Sequence, residues 1–204
     1  MDRDPAELEA RERYRLMIGL IQPRPIAWVS TVSADGAPNL APFSFFTGIT
    51  ANPMSVCFAP VNDRAGRRKD TLLNVEQTRE FVVNFVDEDN AAKMNETAAA
   101  YPRGVSEFEK AGLTPVPSVK VRPPRVAESP AAFECALDRI VDLGDGPLGG
   151  HLVIGRVVRV HCADRLLKGP SISHKDRRAV GRLEGDWYCR ATDDFELPRP
   201  EVPK

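Results

Sequence analysis

The densest run of chemically useful side chains lies between Asn62 and Thr71, where Arg64, Arg67, Arg68 and Lys69 lead into Asp70 and Thr71 ahead of a helix-forming stretch. Basic groups beside a helix N-terminus, with a hydroxyl and unspent backbone N–H groups, make a cradle suited to a phosphate. The same residues also fit a solvated loop in which Asp70 or Thr71 caps the helix, and pattern alone leaves the two readings level. A second polar set, Asn39, Ser44, Thr47 and Thr50, interrupts an apolar, β-forming region. If buried, these groups need partners that a polar ring system or a sugar chain could supply; on an outward strand face they need none.

Other chemistries find little support. His151, His161 and His174 are the only histidines, and no GxSxG or triad-like order surrounds them. His151 is the most interesting because it opens a long strand after a glycine turn. Cys57, Cys135, Cys162 and Cys189 lie far apart without a CxxC pair, which argues against both a disulfide scaffold and a zinc site. Gly144-Asp145-Gly146-Pro147-Leu148-Gly149 matches GxGxxG, but the run that follows it, from His151 through Val158, is strand-forming. A dinucleotide fingerprint must open a helix, so this match predicts a hairpin turn. Trp28, inside a strand signal, fits a core position better than a stacking platform.

From Pro5 to Ile21 the apolar positions Leu8, Met17, Leu20 and Ile21 sit among charged residues, so a short and mostly exposed helix ending before Pro23 is expected there, with Pro5 in its first turn. Strands are expected over Ile26–Ser33, Ala37–Phe46, Met54–Ala59, Phe81–Val86, Ala131–Leu143 and His151–Cys162, with a final β-rich piece at Arg182–Tyr188. Asp35-Gly36 marks a tight turn. Helices are expected at Thr71–Arg79 and Glu88–Ala100, with a helical turn at Val105–Gly112. The proline-rich stretch from Leu113 to Pro130 reads as an extended crossing segment without ladder pairing. Several non-local strands with short helices between them predict a mainly β fold, a barrel with helical insertions.

The chain has 204 residues, 28 Lys+Arg against 29 Asp+Glu and a formal net charge of -1, which suits one soluble domain and argues against a nucleic-acid binder. No apolar run is long enough to span a membrane, and the first residues lack a secretory h-region, so a cytoplasmic protein is expected. Eighteen prolines, about 9% against a background of roughly 5%, are the one compositional excess. They edge the strands at Pro23, Pro25, Pro42, Pro53 and Pro60 and fill the crossing segment.

Pro23-Arg24-Pro25-Ile26-Ala27-Trp28-Val29-Ser30-Thr31 and Asn39-Leu40-Ala41-Pro42-Phe43-Ser44-Phe45-Phe46 together resemble the flavin reductase-like, FMN-binding split-barrel family, its flavoredoxin-type branch in particular. The likeness continues through Lys69-Asp70-Thr71-Leu72, Phe81-Val82-Val83-Asn84 and Ile154-Gly155-Arg156-Val157. It implies a single domain over residues 1–204 built on a six-stranded Greek-key split barrel, with an N-terminal helix and an extended C-terminal tail. It also implies a homodimer with FMN, or alternatively FAD, near the interface. Carried over by position, Asn39, Ala41 and Ser44 would line the flavin, with Thr47 and Thr50 near its ribityl and phosphate region. Lys69, Thr71 and Arg67 would hold the phosphate, and Trp28 would lie beside the ring. Relatives that reduce flavin with NADH or NADPH carry Gly-Asp-His where this chain has Gly149-Gly150-His151. The resemblance therefore implies a catalytic His151 that positions nicotinamide, with its orientation less fixed for want of the aspartate. The implied activity is a flavin reductase serving oxygen, free flavin, a partner protein or an oxygenase. The alternatives are an electron carrier without a nicotinamide site, or a non-enzymatic split-barrel binder of another phosphorylated ligand.

Overall fold

The computed structural model describes residues 2–200. After a 3-10 turn at Pro5–Glu7 come helix α1 (Ala10–Leu20) and strands β1 (Ala27–Val32), β2 (Pro38–Phe43), β3 (Phe46–Ala51) and β4 (Met54–Phe58). Helix α2 (Asp70–Thr78), strand β5 (Glu80–Phe85) and helices α3 (Ala91–Glu96) and α4 (Glu107–Lys110) follow. The crossing segment carries β6 (Pro115–Val116) and β7 (Arg125–Val126), and the long strands are β8 (Ala131–Asp142) and β9 (His151–Cys162). The remaining elements are β10 (Leu167–Lys168), β11 (Ser171–Ile172), α5 (His174–Arg177), β12 (Val180–Arg182) and β13 (Tyr188–Arg190), with a 3-10 turn at Asp164–Leu166.

Seven strands form one antiparallel sheet in the order β2-β1-β5-β8-β9-β4-β3. The sheet curls round a single core to which β1, β2, β4, β5, β8 and β9 contribute, with Phe43, Phe58 and Phe81 at its centre. Phe58 contacts Phe43 and Phe81 at ring-centroid distances of 5.2 and 5.3 Å. β2 and β3 are the two edges of the sheet, joined only through Ser44 and Phe45, which leaves the barrel split. The mainly β barrel with short helices matches expectation, but it has seven strands in the sheet where six were expected. The added strand is β3, whose residues after Phe46 are all exposed and therefore carry no alternating apolar signal.

Strand β1 is buried along its whole length because it faces two cores. Ala27 and Val29 enter the barrel, whereas Trp28 joins Leu40, Met94, Phe108 and Val126 in a second core outside it. Trp28 Nε1 donates to Thr97 Oγ1 at 2.8 Å, tying this outer core to the end of α3. The expected helix over 88–100 shrinks to α3 because local polar bonds compete at both ends. Asp87 and Asn90 exchange side-chain-to-backbone bonds before it, and the Thr97 hydroxyl donates to Met94 O after it.

Other departures have similar causes. The N-terminal helix breaks at Leu8 because Asp4 caps the first turn and a capping box between Glu9 and Glu12 starts α1 afresh. The crossing segment does form a minimal ladder, Pro115 opposite Val126 and Val116 opposite Arg125. It is held to the barrel by the buried Glu134 carboxylate, which accepts from the Val119 and Lys120 N–H groups at 2.8 and 2.6 Å and from His161 Nε2 at 2.6 Å. Burial raises the Glu134 carboxyl, but these three donors outweigh it and hold it below the ordinary range. The β-rich piece expected at Arg182–Tyr188 is the turn of a small hairpin, with Arg182 ending β12, Tyr188 opening β13 and Gly185 between them at φ 52°.

The glycine-rich run between β8 and β9 is a hairpin turn, as its flanking pattern predicts. A Cβ at Gly149 would fall 2.1 Å from Gly144 O, so no other residue fits that turn as built. Within β9, a Cβ at Gly155 would fall 2.3 Å from the Phe81 ring, itself packed against Phe58. Gly155→Ala should therefore destabilise the fold by about 1–3 kcal/mol through overpacking. Urea unfolding measures this; an unchanged midpoint would show that the Phe81 ring yields without cost.

Candidate flavin-phosphate cleft

A cleft of about 540 Å³ opens where β2, the loop before α2, the N-terminus of α2 and the 97–103 loop meet. It brings together Asn39, Ala41, Arg67, Lys69 and Thr71 from the expected set, and adds Glu107. The polar floor is a chain of hydrogen bonds. Asn39 Nδ2 donates to Thr71 Oγ1 at 2.9 Å and to Thr31 Oγ1 at 3.2 Å, and Asn74 Nδ2 donates to Thr31 Oγ1 at 3.1 Å. Asn74 Oδ1 is buried with no partner, an acceptor left open within this network.

The two readings of the basic loop now separate. Lys69 is the N-cap of α2 and makes no side-chain cap, while Asp70 and Thr71 lie inside the helix. The first N–H groups of α2 are thus left without a capping side chain at the cleft, and an anion suits them. The charges around them are unequal. Asp63 accepts from Arg67 Nε at 2.7 Å and from the N–H groups of Arg67 and Ala65, which holds its carboxyl below the ordinary range and shapes the loop. Arg68 pairs with Glu76, and Arg103 reaches from the 97–103 loop to Asp70 at 2.8 Å. Lys69 has no ion pair among the described residues. Arg64 lines a different cleft, beside α1.

The other expected site residues lie elsewhere. Ser44 is half-buried and its hydroxyl accepts from Arg24 Nε at 3.2 Å, within a buried clasp in which Arg24 also donates to Ile18 O, Ile21 O and Leu183 O. Thr47 and Thr50 stand exposed on the edge strand β3. Trp28 is wholly buried in the outer core and offers no face to a ring. His151 is also buried and does not line the cleft. The carboxylate missing before it in sequence is supplied across the hairpin, where Asp142 pairs with His151 in register and places Oδ1 2.6 Å from Nδ1. Among the described residues no group of three His, Cys, Asp or Glu side chains could hold a metal, and burial raises the Cys135 thiol out of reach as a nucleophile.

The flavin reductase like domain profile matches residues 21–181 of this chain. The chain belongs to the flavin reductase-like family. Nitrilotriacetate monooxygenase component B from Bacillus cereus is 40% identical, with a TM-score of 0.91 and coverage of 97% of this chain and 98% of that one. The 2-nitrobenzoate 2-nitroreductase of Pseudomonas fluorescens is 30% identical, with a TM-score of 0.89 over 100% and 99% of the two chains. A split-barrel protein of Shewanella frigidimarina assigned as a flavin reductase is 25% identical, with a TM-score of 0.83 over 98% and 100%. A flavin cofactor is accordingly implied, and the cleft's donor set fits its phosphate: uncapped helix N–H groups, one uncommitted ammonium and a hydroxyl. No helix among the described residues is long and apolar enough to cross a membrane.

Glu107, which sequence patterning missed, buttresses this site. It is nearly buried, and its Oε2 accepts from the Leu40 N–H at 2.9 Å, fixing β2 between Asn39 and Ala41. Burial pushes its carboxyl above the ordinary range, the Leu40 N–H pulling part of the way back. The folded chain thus holds this proton more tightly than the unfolded chain, so the group supports folding at low pH and opposes it as pH rises through the raised folded value. Glu107→Gln keeps an oxygen for Leu40 and should match or exceed the parent's stability near neutrality, with the advantage shrinking toward about pH 4. Denaturant unfolding at both pH values checks this; a neutral-pH loss above ~1 kcal/mol would contradict it.

Proposed function

We propose that the chain binds FMN with its phosphate at the N-terminus of α2 and acts as an NAD(P)H-dependent flavin reductase. The observation that carries this reading is the uncapped start of α2 converging with Lys69 and Thr71 in one cleft, within a family-matched barrel. Bound flavin supplies the hydride and electron transfer, so the chain need offer neither a nucleophile nor a metal. Its own residues bind and orient. Lys69 and the first N–H groups of α2 neutralise the phosphate, and the Thr71 hydroxyl, already accepting from Asn39, donates its proton to it. FMN is favoured over FAD because one uncommitted cation serves one terminal phosphate.

A second copy of the chain completes the site in this reading. β3 is an edge strand whose exposed Ile49, with Met54 beside it on β4, suits an apolar partner surface, and Thr47 and Thr50 lie on that same strand. They would meet flavin across a homodimer interface. The 40% identical neighbour is named as a monooxygenase component, which supports an oxygenase as the consumer of reduced flavin. The 30% identical neighbour is named as a nitroreductase, which supports a second reading, direct reduction of a nitroaromatic compound on the bound flavin.

Two measurements test the proposal. FMN should bind at least about tenfold more weakly to Lys69→Ala, whereas riboflavin, which lacks the phosphate, should bind both proteins alike. Equal losses for both flavins would move the phosphate elsewhere. Purified protein with FMN should oxidise NADH or NADPH, and added nitrobenzoate distinguishes the two acceptors. Flavin binding without turnover on either nicotinamide would leave an electron carrier in place of a reductase.

A further inference from the structure

The hairpin between β8 and β9 meets the basic loop through a buried histidine. Asn62 N–H donates to Gly149 O at 2.8 Å, His151 N–H donates to Pro60 O at 3.1 Å, and Gly66 packs so tightly on Gly146 that a Cβ there would lie 3.2 Å from its carbonyl carbon. Side chains complete the join. Asn62 Nδ2 donates to Gly146 O at 3.1 Å, which turns Asn62 Oδ1 toward His151 Nε2 at 3.2 Å. Each ring nitrogen thus faces a protein oxygen, Nε2 that of Asn62 and Nδ1 the Asp142 carboxylate at 2.6 Å. Both are spent on these oxygens, and the side chain is 3% exposed. Nothing is left to meet a nicotinamide, so the expected contact role of His151 does not fit this geometry.

We propose that His151 is a positioning residue: with Asp142 it holds Asn62, and through Asn62 the Asp63–Arg67 turn that presents Lys69 to the cleft. The chain of connection is short. Asn62 precedes Asp63 directly, Asp63 N–H donates to Arg67 O at 3.0 Å, and the Asp63 carboxylate accepts from Arg67. An Asx-type turn of this kind fixes the loop internally but not against the barrel. The anchoring against the barrel comes from the hairpin, where Gly66 packs on Gly146 and the Leu148 N–H reaches Asp63 O at 3.5 Å, and Asn62 is the residue of the loop that holds Gly146 and also meets His151. Phosphate recognition is thereby coupled to a strand pair on which no cleft residue lies.

This inference rests on the flavin reading above, and the test separates the two. Flavin affinities are measured for FMN and riboflavin with the parent, Asn62→Ala, His151→Gln and Lys69→Ala proteins, with thermal unfolding as a check on folding. Asn62→Ala should lose FMN affinity by about tenfold with riboflavin affinity little changed, reproducing the Lys69→Ala binding pattern, while its unfolding midpoint falls because Gly146 O and His151 Nε2 lose their partner. His151→Gln, which retains a donor for Asn62 Oδ1, should fall between the parent and Asn62→Ala. A folded Asn62→Ala protein that keeps the parent's FMN affinity, or that loses both flavins equally, overturns the proposal. So does a His151→Gln protein altered only in its KM for NADH or NADPH, the signature of direct contact. A parent that binds neither flavin would instead overturn the flavin reading itself.

Discussion

Strand β1 has no solvent face, and much of the molecule follows from that constraint. A strand buried on both sides must be covered twice, once by the barrel interior and once by an outer layer. Ala27 and Val29 meet the first requirement, and Trp28 meets the second against α3, α4 and the crossing segment. Covering the outer face brings the 97–103 loop and Glu107 alongside β2, and the space between them and α2 is the cleft. The candidate site is thus a seam between the barrel and the layer its central strand demands.

Within that seam the electrostatics are selective. The basic loop has four cationic residues, yet Arg67 is held by Asp63 and Arg68 by Glu76, and Arg64 faces another cleft. The exposed pairs add little to stability; what they do is fix loop shape and leave Lys69 as the uncommitted charge. An uncapped helix would ordinarily be a small defect, and here it lies beside that ammonium and an ordered hydroxyl. Three modest features thus meet at one spot, and the proposed phosphate reading rests on their meeting.

The proline excess finds its purpose in the same design. Prolines border β1 and β4, lie within β2 at Pro38 and Pro42 where that strand is an edge of the sheet, and extend the segment that wraps the outer core. The crossing segment has few internal bonds to stabilise it and relies on Glu134, Asn84 and Ser30 of the barrel strands for its hydrogen bonds. A buried carboxylate with three donors is an efficient substitute for a ladder.

By itself the sequence determined the mainly β class and the hairpin reading of the glycine run, which are carried by local patterning and turn chemistry acting between residues close in the chain. That Asn39, Ala41, Lys69 and Thr71 belong together was implied only by the family resemblance, and the fold is what brings them to one cleft. The strand signal favoured a core position for Trp28, but the sequence could not reveal that His151 faces inward, that Thr47 and Thr50 stand on an outer edge strand, or that Asp142 replaces a missing neighbour of His151. Those depend on register and curvature: Asp142 meets His151 only because β8 and β9 pair residue for residue to their ends. β3 escaped notice because an exposed edge strand lacks the alternation that marks a buried one. Tertiary structure decided which chemically able side chains share a space, since burial and cross-strand pairing couple residues that the chain itself keeps apart.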